Sequence, residues 1–74
     1  MTTDGPFSLL DTVALLEDAP EHGLARGHVG TLVETLAPGV WLVEFSDDRG
    51  RTYAMPALRE DQLMALRYST EPAT

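Results

Sequence analysis

Cysteine and lysine are both absent from this 74-residue chain, and each absence narrows what it can do. Without cysteine there is neither a disulfide framework nor a thiolate zinc site, so packing, with self-association as a further source, must supply the stability. Without lysine, every cation is an arginine: five of them stand against twelve acidic residues, for a formal net charge of −7. Nucleic-acid affinity comes largely from Lys and Arg neutralising phosphates, so this balance argues against DNA, RNA or an anionic membrane as the main partner. Long apolar runs are missing as well. No window approaches the roughly 20 residues of a membrane span, and the start "MTTDGPFS" lacks the basic and apolar regions of a secretory signal. The expectation is a soluble, cytoplasmic protein whose acidity at the least keeps it in solution.

What is present is the pattern of one small β-domain. The polar, Pro-containing ends, residues 1–6 and 69–74, read as disordered, and residues 7–68 as a single folded unit without repeats. "LLDTVALLED" alternates around Val13 and Leu15 and stops at Asp18-Ala19-Pro20, which predicts a first strand near Thr12–Leu16. A loop over Glu17–Gly27 follows, and "HVGTLVETLA" then makes a second strand running to the turn dipeptide Pro38-Gly39. The clearest strand is "VWLVEF", with Trp41, Val43 and Phe45 on the core face and Val40, Leu42 and Glu44 on the other. "SDDRG" supplies a hairpin turn, and "RTYAMPAL" returns with Tyr53 and Met55 on one face. Pro56 cannot donate to a ladder, so that strand lies at an edge or ends there. "REDQL" reads as one 3-10 turn and "MALRY" as a last strand. The sum is a small five-stranded SH3-like barrel with one short helical turn before its last strand, since closure hides strand edges at this size. "LREDQLMALRY" fits a two-turn helix with Leu58, Leu63 and Leu66 inward as the competing assignment.

Candidate sites are few. Gly23, Gly27 and Gly30 have a spacing that invites comparison with a phosphate cradle, but they lead into a strand, with Arg26 as the nearest cation and Glu17, Asp18 and Glu21 in the same loop. Turns and a close strand crossing explain them better. His22 and His28, beside those carboxylates, are the only metal-ligand candidates, and their spacing matches no ligand pattern, so no metal or cofactor is expected. No pair of titratable groups is laid out for general acid–base work, and an enzyme is not expected. A second apolar set, Leu32, Leu36, Val40 and Leu42, opposes the phase of the core set and, with Tyr53, is the candidate contact surface.

The residues also resemble a family. Asp11 with Val13 to Leu15, Pro20 to Thr31, Pro38-Gly39, Val43 to Phe45, Gly50 to Ala54, and Leu58 with Gln62-Leu63 match the pattern of the short bacterial proteins of domain of unknown function 4926. The resemblance covers almost the whole expected domain. It implies a small SH3-like β-barrel and brings no established activity or catalytic residues to carry over; by analogy with members encoded near toxin-like proteins, it suggests a partner or immunity role. The functional expectation is therefore a non-catalytic protein-interaction module, whose acidic face complements a basic partner, with homo-oligomerisation open. The alternatives are a nucleic-acid-binding barrel, which would need Arg49, Arg51 and Arg67 to cluster, and a small-ligand or metal-binding protein using His22, His28 and Tyr53.

Overall fold

The computed structural model describes residues 7–66. The two expected disordered ends, and residues 67 and 68 of the expected domain, lie outside the described residues. Six strands form one antiparallel sheet: β1 (Thr12–Leu15), β2 (Val29–Ala37), β3 (Val40–Ser46), β4 (Thr52–Ala54), β5 (Ala57–Arg59) and β6 (Leu63–Ala65). There is no α-helix among the described residues, only two 3-10 turns, Pro20–His22 and Glu60–Gln62. "LREDQLMAL" is thus a strand, a turn and a strand rather than a helix. Leu58 and Leu63 are nonetheless buried, as either assignment required.

β1 is short because Pro20 follows closely, and its alternation puts Val13 and Leu15 into the core with Thr12 and Ala14 half-buried. β3 behaves as its sequence predicts, with Trp41, Val43 and Phe45 buried and Val40, Leu42 and Glu44 half-buried on the outer side. Between β2 and β3 the turn is Pro38-Gly39, with Gly39 at φ 75°, the left-handed conformation that glycine adopts without steric cost.

The five-strand expectation is corrected at Pro56. β4 and β5 lie end to end along one edge of β3, Phe45 pairing with Ala54 and Leu42 with Ala57. The intervening Pro56 accepts a hydrogen bond from Val43 N–H at 3.0 Å but has no N–H to return, so the ladder is interrupted there. The expected closed barrel is corrected too. The order is β4–β3–β2–β1–β6 with β5 beside β3, and no backbone pairing joins β6 to β4 or β5, so the sheet is open. Its edge strands are three residues each, and the chain crosses from one edge to the other through the second 3-10 turn.

The core is entirely apolar: Val13, Leu15, Ala19, Leu24, Leu32, Trp41, Val43, Phe45, Leu58 and Leu63. Burying a side chain the size of Phe45 or Leu32 stabilises the fold by about 1.5–3 kcal/mol. Ala19 and Leu24 come from the β1–β2 loop, where their backbones pair in an isolated bridge and turn the loop's apolar residues inward.

Candidate functional site

Antiparallel partners share a face of the sheet, so the register maps the surface directly. On the outer face, Glu34, Leu42 and Ala57 form one row across β2, β3 and β5, and Ala37, Val40 and Arg59 form the next. The register that pairs Phe45 with Ala54 and Leu42 with Ala57 is continuous. It therefore sets Met55 across from Glu44, with Thr31 on the far side of Glu44. Leu42 and Val40 are half-buried, Ala57 and Ala37 are exposed, and Met55 is 48% exposed. These five side chains make a contiguous apolar surface bordered by Glu34 and Glu44.

The expected contact set is only partly assembled there. Val40 and Leu42 belong to it. Leu36 is exposed, but it is the unpaired residue of a bulge between Thr35 and Ala37, beside the patch rather than in its rows. Leu32 is a correction: it is 0% exposed, opposite Val43 in the core. An extra residue, Val33, sits between the pairs Leu32–Val43 and Glu34–Leu42, and one inserted residue exchanges the two faces of a strand. Leu32 precedes that exchange and Leu36 follows it. Tyr53 does not join Met55 either. It is the extra residue between the pairs Phe45–Ala54 and Ser46–Thr52, and its ring meets His28 edge-on at a centroid distance of 6.3 Å. The carbonyl of His28 accepts from the N–H of buried Leu15, so this contact lies at the rim of the inner side.

The polar candidates are engaged locally. His28 Nδ1 accepts the Ala25 N–H at 3.1 Å, and His22 Nε2 lies 3.9 Å from Glu21 Oε2. No group of three metal-ligating side chains meets among the described residues. Nor is there an enclosed cavity among them. In the loop of Gly23, Gly27 and Gly30, the Asp18 carboxylate takes the Arg26 N–H at 2.9 Å, so a carboxylate occupies a backbone donor that an anion site would need. Gly30 sits in the core face, where a Cβ would lie 2.9 Å from both the Glu44 carbonyl oxygen and Val43 Cγ1. Its role is close packing. Of the arginines, Arg51 and Arg59 are paired with Asp47 and Asp61 at 3.7 and 3.0 Å. Arg49 lies in the same exposed turn as Arg51, and Arg67 is outside the described residues.

The sequence reading missed Glu34, Ala57 and Met55 as parts of the outer patch, and missed the hydrogen bond from Trp41 Nε1 to Glu60 Oε2 at 2.8 Å. That bond ties β3 to the second 3-10 turn. The strict alternation of Leu42 with Glu44 already pointed to Glu44 at the patch's edge. Ala57 and Met55 became legible only with the register across Pro56.

No helix among the described residues is long and apolar enough to cross a membrane. No curated protein and no solved structure matches the chain. A family model does match, over residues 9–65, from the turn before β1 to the end of β6. The matched span takes in every strand, both 3-10 turns and the outer patch, and on it the chain belongs to the family described as domain of unknown function DUF4926.

Proposed function

We propose that the protein is a non-catalytic interaction module that binds another protein through the outer face of β2, β3 and β5. The observation that carries this reading is the apolar surface of Val40, Leu42, Met55, Ala57 and Ala37, of which Ala37, Met55 and Ala57 are exposed and Val40 and Leu42 half-buried. Apolar side chains gathered on one face are more informative than the same residues scattered singly. The strand order and the 3-10 turn before the last strand support a half-open SH3-like barrel as the scaffold, a rigid base on which an exposed face serves recognition. A cytoplasmic location belongs to the same reading.

The test is affinity capture from the native host with the whole chain as bait, beside the Leu42→Glu variant, with bound proteins identified by mass spectrometry. A partner recovered by the native chain and lost with Leu42→Glu is the expected result. Identical recoveries from both baits would remove the face from any role in binding.

A further inference from the structure

We infer that the segment docking on this outer face presents apolar side chains interspersed with arginine or lysine. This rests on the docking reading above and adds the partner's chemistry. At the centre lie Leu42 and Val40 with Ala57 and Met55 beside them, and carboxylates border that centre on two sides. Glu34 stands directly across from Leu42, is exposed, and makes no ion pair among the described residues. Glu44, across from Met55, is half-buried, and its carboxylate accepts the hydroxyl of Thr52 but meets no cation among the described residues. Among the described residues the face has one arginine, Arg59, across from Val40, and its charge is compensated by Asp61, 3.0 Å from its Nε.

Covering the apolar centre takes water from both carboxylates. A buried charge is costly unless it is paired, so a neutral or acidic segment loses on the rim what it gains at the centre. A segment with cations at its edges pairs with Glu34 and Glu44, and the chain's net charge of −7 also speeds its approach. A second copy of this chain would bring the same two carboxylates and the same net charge, so self-association through this face is disfavoured, as is a phosphate-bearing polymer.

The experiment uses the full chain and three labelled synthetic peptides with the same alternating leucines, the intervening positions being arginine, serine or glutamate. Fluorescence anisotropy should show the arginine peptide binding at least about tenfold tighter than the serine one, with the difference shrinking as salt rises. Glu34→Lys should weaken the arginine peptide about tenfold. Glu21→Lys, which changes net charge equally but lies on the first 3-10 turn, should weaken it far less. Circular dichroism confirms that both exposed-site variants remain folded. Absence of arginine-peptide binding, equal affinity for the arginine and serine peptides, or equal effects of the two lysine variants each overturns the inference. Leu42→Glu separates it from the docking reading: if that variant abolishes binding of the serine peptide while Glu34→Lys leaves every peptide unchanged, the face docks a partner but does not select charge.

Discussion

β2 and β3 lie side by side over most of their length, yet they distribute their apolar residues differently. Every second residue of β3 from Trp41 to Phe45 enters the core, without interruption. β2 sends Gly30 and Leu32 inward, passes through Val33, and afterwards exposes Glu34, Thr35, Leu36 and Ala37. The difference shows what a bulge does to a small sheet. It ends one strand's contribution to the core halfway along and leaves the remainder of β2 exposed. The apolar outer patch begins where β2 stops packing inward.

The strongest attempt to break this comparison is Phe45→Ala. Phe45 is 0% exposed, and its truncation should cost about 3–5 kcal/mol, a large share of a small domain's stability. Thermal melts by circular dichroism should lose most of their cooperative transition; a melt close to that of the native chain would show that β3 is not the anchor. Leu32→Ala and Leu36→Ala test the bulge itself. The first should cost about 2–5 kcal/mol and the second within about 0.5 kcal/mol of nothing. Chemical denaturation of both would refute the face exchange if the two losses were equal. Gly30→Ala is next, at about 1–3 kcal/mol, because the new Cβ meets a backbone carbonyl that cannot rotate away. A variant as stable as the native chain would mean that β2 and β3 can separate at that point at little cost. A small effect on stability, about 1 kcal/mol or less, is expected for Leu42→Glu, since the outer face accepts a charge. Light scattering and melts should find it folded while its capture of the partner is lost; unfolding would place Leu42 inside.

The features that were legible from sequence have local causes. Strict alternation is enough to fix the faces of β3 and β1, because nothing interrupts it. Pro38-Gly39 and "SDDRG" identify their turns by the backbone conformations those residues favour. Pro56 signals a break, and the break is there. Leu32 was hidden because one extra residue at Val33 reverses the strand's phase without leaving a mark in the hydrophobic pattern. Tyr53 was misplaced for the same reason. Burial of Ala19 and Leu24 was invisible because it depends on a backbone bridge within the loop. Barrel closure, finally, is a matter of whether two distant edges meet, and edges of three residues leave them apart.

The hydrogen bond between Trp41 and Glu60 has a bearing on how the chain folds. β1 with β2, β2 with β3, and β3 with β4 and β5 pair segments that follow one another along the chain, whereas β6 must return to β1 from the far end. The entropy of closing that long loop therefore falls on one step, and slow assembly of this kind of topology is concentrated there. Glu60 lies on the turn that leads directly into β6, and Trp41 is the only tryptophan in the chain. Its fluorescence consequently follows the seating of β5 and the connector on β3, where Arg59 pairs with Val40 and the Glu60 N–H meets the Gly39 carbonyl, the step that precedes the return of β6. The molecule carries its own reporter for the moment just before the last strand docks.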